Sequence, residues 1–105
     1  MKIITESEFR IRLINKLSEL QIKPNCVTGP GRSGAIASVY ASHLLRIPFI
    51  PYGTKIPEKL KPALVIDTAI KTGYTLRKAA RKAEATLMLA LFEEPPLVQF
   101  WYESV

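Results

Sequence analysis

The residues with the densest chemistry lie in "ALVIDTAIKTGYTL", positions 63–76. An apolar run stops at Asp67, and Thr68, Lys71, Thr72, Gly73 and Thr75 follow directly. A helix is predicted from Tyr74 or Thr75, which makes this segment a strand–loop–helix turn. Helix N-termini expose unsatisfied backbone N–H groups and partial positive charge, a combination that binds phosphate. Gly73 lets the backbone approach closely, Thr72 and Thr75 add hydroxyl donors, and Lys71 adds a cation. Asp67 does not serve the phosphate, because like charges repel. A carboxylate just outside such a cradle suits sugar hydroxyls or a metal ion instead. In the plainer alternative Asp67 and Thr75 merely cap a helix, but that leaves Lys71, Thr72 and Gly73 without a reason.

A second glycine-marked loop, "GPGRSG" at Gly29–Gly34, fits the pattern GxGxxG. A dinucleotide site needs an acid about 20 positions further on, at the end of the next strand. That region reads "FIPYGT", with no acid before Glu58. The loop is also nearly a Walker A, but Ala35 stands where the lysine belongs. Both readings fail on a specific residue. What remains is a turn of backbone N–H groups with the Arg32 guanidinium at its tip, suited to pyrophosphate.

These loops need elements to hold them. Residues 6–21 place Phe9, Leu13, Leu17 and Leu20 on one face at helical spacing, with Thr5 or Ser7 able to cap the start. "NCVTGP" reads as a short buried strand. "SGAIASVYASHLLR" reads as a second helix whose small leading residues permit close approach to a sheet. "IPFIPYG" is a strand whose two prolines suit an edge. "TKIPEKLKP" connects it to the strand "ALVID", followed by the helix "TLRKAARKAEA" and the apolar strand "TLMLALF". The tail "EEPPLVQFWYESV" is too aromatic for a free linker. Alternation of this kind with near-continuous apolar strands predicts an α/β fold: a small doubly wound parallel sheet of four to five strands flanked by about three helices. Ligands of such sheets bind beyond the carboxyl ends of the strands, where strand order reverses. With order 2-1-3-4, the two marked loops face each other at that point.

At 105 residues the chain has room for one domain, spanning 1–105. No apolar run approaches the roughly 20 residues of a membrane span. "MKIITESEFR" has no signal-peptide core, so a cytoplasmic protein without membrane contact is expected. Cys26 is the single cysteine, which excludes disulfide scaffolds and cysteine-built zinc sites; it reads as a small buried hydrophobe. His43 lies mid-helix and reads as a surface or packing residue. The net charge of +6 favours an anionic partner: a phosphorylated metabolite, nucleic acid or an acidic protein. The basic run "LRKAARKAEA" reads first as a solvated helix face, with nucleic-acid contact the less favoured reading.

On these residues the chain resembles the type I phosphoribosyltransferase family. "LVIDTAIKTGYTL" is similar to its signature of four apolar residues, two acids, a short variable stretch and Thr-Gly-x-Thr. "GPGRSGAIAS" resembles its pyrophosphate loop, and the two motifs occur in family order across about residues 24–92. The resemblance implies a 5-phosphoribosyl-1-pyrophosphate substrate with Mg²⁺, displacement of pyrophosphate by a nucleobase, and a role in nucleotide salvage. Carried over, Ala69, Ile70, Lys71, Thr72, Gly73, Tyr74 and Thr75 would wrap the 5-phosphate. Asp67 would hold the ribose hydroxyls or the metal, and Gly31, Arg32, Ser33 and Gly34 would meet the pyrophosphate. "LFEEPPLVQFWYES" is loosely similar to the end of xanthine–guanine-type enzymes, where Phe100, Tyr102 and Glu103 match base-pocket residues in kind. The family is commonly dimeric, and an aromatic tail suits a homodimer or the core.

The chain departs from the family at three points. Thr68 replaces the second acid. The long mobile hood is reduced to a connector, Tyr52–Pro62. Glu94 stands before Pro95, where purine enzymes carry a lysine. These departures support a second reading, a non-catalytic module that binds a nucleotide, a phosphoribosyl ligand or nucleic acid. A third is a sugar-phosphate enzyme of different chemistry on a similar sheet.

Overall fold

The computed structural model describes residues 2–69, 74–92 and 98–104. Its elements are β1 (Lys2–Ile4), α1 (Glu6–Ser18), β2 (Cys26–Thr28), α2 (Gly31–Leu45), β3 (Ala63–Ala69), α3 (Tyr74–Lys82), β4 (Leu87–Phe92) and β5 (Val98–Phe100). A short 3-10 helix, Trp101–Ser104, follows β5.

The main sheet is parallel in the order β2-β3-β4, with Thr28 opposite Val65 and Asp67 opposite Ala90. Beyond β2 a single parallel bridge joins Val27 to Phe49. There the Val27 N–H donates to the Pro48 carbonyl (3.0 Å), and the Ile50 N–H donates to the Val27 carbonyl (2.9 Å). The expected order 2-1-3-4 therefore holds, but "IPFIPYG" is not a full strand. Pro48 has no N–H to extend the ladder toward the start of β2, and pairing is confined to one bridge.

β1 and β5 form a separate parallel pair, Lys2 with Val98 through Ile4 with Phe100. The five described strands thus divide three and two rather than forming one sheet. No strand is predicted before α1, because three residues are too few to display alternation.

Each helix covers the sheet for a reason visible in its residues. α1 is capped by Thr5, whose Oγ1 accepts the Glu8 N–H, and it buries Phe9, Leu13 and Leu17. It ends at Ser18, three residues short of the expected 21. α2 buries Gly34, Ala37, Ser38 and Ala41 at one-turn spacing, a stripe with no large side chain. That stripe brings it close: a Cβ on Gly29 would lie 2.5 Å from the Ile66 carbonyl oxygen and 2.6 Å from Ser38 Oγ. α1 and α2 share one core with Leu64, Ile66, Leu89 and Leu91. α3 packs Leu76, Ala79 and Ala80 against Val65 and Ala90 on the opposite face. The sheet is therefore covered on both sides, and full burial of a side chain such as Leu64 contributes about 1.5–3 kcal/mol.

The connector lies against the protein rather than above it. Ile56 is buried with Cys26 and Ala63, and the Lys61 ammonium contacts Glu58 (2.8 Å) and Glu84 (3.2 Å).

Candidate functional site

The chain reverses direction across the sheet between β2 and β3, so the segments that leave these strands adjoin at their carboxyl ends. The first is not the free loop expected over Gly29–Gly34. α2 already begins at Gly31, and the Gly34 N–H donates to the Pro30 carbonyl (3.1 Å). Gly31 has φ of 68°, a left-handed value that favours glycine. Pro30, at the N-cap, offers no side-chain acceptor, and the first turn of α2 holds no acid. Arg32 is exposed on that turn and Ser33 is half-buried. The positive end of α2 is thus open to an external anion. α3 also has no acid in its first turn, whereas α1 has both a side-chain cap and Glu6 and Glu8.

The second segment leaves β3 through Asp67, Thr68 and Ala69. Asp67 is half-buried, and burial pushes its carboxyl above the usual aspartate range. The Thr68 N–H donates to Asp67 Oδ1 (2.8 Å), which opposes that rise in part. Tyr74 and Thr75 begin α3 and are exposed. Ile70, Lys71, Thr72 and Gly73 lie outside the described residues, as do Glu94 and Pro95.

Tyr102, from the tail, ties the two segments together. Its hydroxyl donates to Ser33 Oγ across 2.7 Å. Burial raises the phenol pKa most; Ser33 and Thr68 lower it, while the nearby Glu103 and Asp67 carboxylates raise it. Ser33, Asp67 and Thr68 therefore converge around one phenol. Arg32, Ser33, Ile36, Tyr102 and Glu103 line a cavity of ≈ 480 Å³, a size that suits small ligands. Glu103 Oε1 also accepts the Phe100 N–H (3.0 Å), so the carboxylate holds the tail's turn as well as rimming the cavity.

Two features had no signal in the sequence. The Tyr102–Ser33 bond joins residues 69 positions apart, beyond any local pattern. Thr28, only 1% exposed, has an Oγ1 without a hydrogen-bond partner among the described residues. Thr28 is laddered with Val65, so with Val65 and Asp67 it occupies the α3 face of the sheet. Thr68 is 4% exposed, so a carboxylate at this position would be buried.

Other candidates lie elsewhere or carry no chemistry. His43 is exposed in the last turn of α2. Cys26 is buried, and burial raises its thiol pKa, as expected for an inert packing residue. Among the described residues no group of three or more His, Cys, Asp or Glu could hold a metal, and no helix is long and apolar enough to cross a membrane.

Solved structures give this geometry a context. The chain is similar to a xanthine–guanine–hypoxanthine phosphoribosyltransferase of Helicobacter pylori, with TM-score 0.74, 15% identity, and 97% of this chain and 91% of that one covered. A purine phosphoribosyltransferase of Pyrococcus horikoshii gives TM-score 0.74 and 18% identity, over 98% and 95% of the two chains. The fold is phosphoribosyltransferase-like. A third similar structure is a hypothetical protein of Neisseria gonorrhoeae with bound ppGpp, with TM-score 0.67, 14% identity, and 97% and 89% coverage. No family model and no curated protein matches the sequence.

Proposed function

We propose that this crevice binds 5-phosphoribosyl-1-pyrophosphate or a nucleoside 5′-monophosphate, and that the chain transfers the phosphoribosyl group to a purine base with release of pyrophosphate. The observation that carries this reading is the convergence of Ser33 and Asp67 on Tyr102, at the reversal point of a phosphoribosyltransferase-like sheet. In this reaction the anomeric carbon–oxygen bond breaks, the pyrophosphate leaves with the electron pair, and a base nitrogen bonds to the carbon. The protein must steady the leaving anion and orient the base. The open amino end of α2, with Arg32 and Ser33, suits the pyrophosphate. Asp67 suits the ribose hydroxyls. The 5-phosphate belongs to the turn that enters α3.

Among the described residues, Asp67 is the carboxylate that stands at the carboxyl end of β3, and Glu103 rims the cavity. That donor set fits a Mg²⁺ carried by the ligand's own phosphates, the usual arrangement for this ion, rather than a protein-built cage. Asp67 would hold it, and the ion would supply charge neutralisation of the pyrophosphate. A homodimer in a nucleotide-salvage setting belongs to the same proposal.

Two observations favour the non-catalytic alternative, a sensor of a guanine nucleotide. The connector is anchored by Ile56 and Lys61 instead of standing over the crevice. In addition, one similar structure holds ppGpp. Pyrophosphate release, measured with phosphoribosyl pyrophosphate, Mg²⁺ and a panel of purines, decides between the two. Turnover supports the transferase. Calorimetric binding of ppGpp or GMP without turnover supports the sensor, and absence of both defeats the site.

A further inference from the structure

Most serines of α1 and α2 spend their hydroxyl protons locally. Ser18, Ser38 and Ser42 donate to the backbone carbonyls of Asn15, Gly34 and Ile47, and Ser7 is exposed to solvent. Such bonds hold a hydroxyl against its own helix or the next loop. Ser33 is different. It is half-buried, its Oγ accepts from the Tyr102 hydroxyl at 2.7 Å, and its own proton has no acceptor among the described residues. Its position gives the reason. Ser33 lies in the first turn of α2, and the carbonyls three and four residues back belong to Pro30 and Gly29, outside the helix.

A hydroxyl donates one proton and accepts on two lone pairs. The phenol is the stronger acid of this pair and therefore the donor, which leaves the Ser33 proton unspent. Ser33 lines the same cavity as Arg32, Tyr102 and Glu103, so that proton has the cavity to point into. Tyr102 comes to this place from a well-held tail. Its ring stacks on Phe100 at 5.5 Å and 3°, meets Trp101 edge-on at 4.9 Å, and is followed by Glu103, which accepts the Phe100 N–H.

We infer that Tyr102 is a positioning residue for pyrophosphate: by donating to Ser33 it aims the Ser33 proton, beside the Arg32 guanidinium, at an oxyanion in this cavity. This role rests on the reading of the α2 amino end as the pyrophosphate site, and it supplies the means by which that site's hydroxyl donor is set. An unheld serine hydroxyl turns about its Cβ–Oγ bond. A donor already aimed contributes more to binding than one that must be ordered when the anion arrives. A bond that only fastened the tail to α2 would leave the choice of ligand untouched.

Calorimetry of the full chain with Mg²⁺ tests this, using pyrophosphate and ribose 5-phosphate as separate probes. Ser33→Ala should weaken pyrophosphate about tenfold or more, the worth of one hydrogen bond to a charged group. Tyr102→Phe keeps the ring and removes the donor. It should weaken pyrophosphate about threefold to tenfold, the worth of a neutral hydrogen bond, and leave ribose 5-phosphate unchanged. Adding Y102F to S33A should bring no further loss, because a residue that acts through another is not additive with it. Tyr40→Phe removes a different tyrosine hydroxyl, the one that bonds Glu6, and should leave both probes unchanged. Should one variant fail to fold, the other still reads the pair. The inference is overturned if Y102F binds pyrophosphate as the wild type does, if it weakens both probes equally, or if the two substitutions add. Arg32→Ala keeps the outcomes apart: loss of pyrophosphate there but not in Y102F preserves the anion site and removes Tyr102 from it. A wild type that binds no pyrophosphate defeats the site and the inference together.

Discussion

Under the proposed function, ligand binding and stability pull in opposite directions at Asp67. Burial raises its carboxyl pKa above the ordinary 3.8, so the folded state holds the proton more readily than the unfolded chain does. Stability therefore falls as pH rises from the unfolded value through the folded one, and the cost of the charge persists at neutral pH. Asp67→Asn removes that cost and keeps an oxygen for the Thr68 N–H. It should raise the urea midpoint slightly at pH 7, an advantage that disappears by pH 3; solvent screening keeps the gain small. The same substitution should weaken phosphoribosyl pyrophosphate by about tenfold or more, the worth of one charge-assisted hydrogen bond at 1.5–3 kcal/mol. A less stable Asn variant at pH 7 would refute the burial argument. Arg32→Ala makes a sharper distinction: calorimetry should show a similar loss for phosphoribosyl pyrophosphate and little change for ribose 5-phosphate. Asp67, Arg32 and Ser33 stand out in the sequence because each lies in a glycine- or threonine-marked turn after an apolar run, and the structure sets these turns at the carboxyl ends of β2 and β3. Tyr102 was legible only as one aromatic among several, since nothing local connects it to Ser33.

At the scale of elements, the crevice depends on how closely α2 approaches the sheet. A Cβ at Gly29 would meet the Gly34 carbonyl oxygen as well as Ile66 and Ser38, and two of these three neighbours are backbone atoms that cannot swing aside. Gly29→Ala should therefore cost about 3 kcal/mol, the upper part of the overpacking range, read as a lower denaturant midpoint. Near-neutral behaviour would mean that α2 lies further from β3 than described here. The small-residue start of α2 was readable in advance, because Gly34, Ala37, Ser38 and Ala41 recur at helical spacing. The strand at Phe49 was misjudged in length. Its two prolines marked an edge position, and the missing N–H of Pro48 stops the ladder from extending toward the start of β2. β1 escaped notice because its partner, β5, lies at the far end of the sequence and each contributes only three residues.

At the largest scale, the first and last described strands pair with each other. β1 pairs with β5, and the residues around β5 bring Phe100, Trp101 and Tyr102 against Phe9 of α1, Tyr40 of α2 and Phe92 of β4. Phe100 is the centre of this arrangement. It is 3% exposed, meets Phe9 and Phe92 edge-on, and stacks on Tyr102 at 5.5 Å and 3°. The tail's aromatics thus serve the core of the chain itself, and through Tyr102 they hold the amino end of α2 in place. Phe100→Ala should cost about 3–5 kcal/mol, as expected for truncating a buried aromatic. That is a large part of the 5–15 kcal/mol available to a domain. The loss should not be uniform, because local opening follows the contacts removed. Hydrogen exchange should show the Ile4 amide losing protection first, while Leu64 and Ile66 in β3 exchange only on global unfolding. Ligand affinity should fall with it, since a loosened Tyr102 no longer steadies Ser33. Equal loss of protection in β1 and β3 would mean that the ends and the central sheet open as one unit, and the tail would then have no separate hold on the crevice.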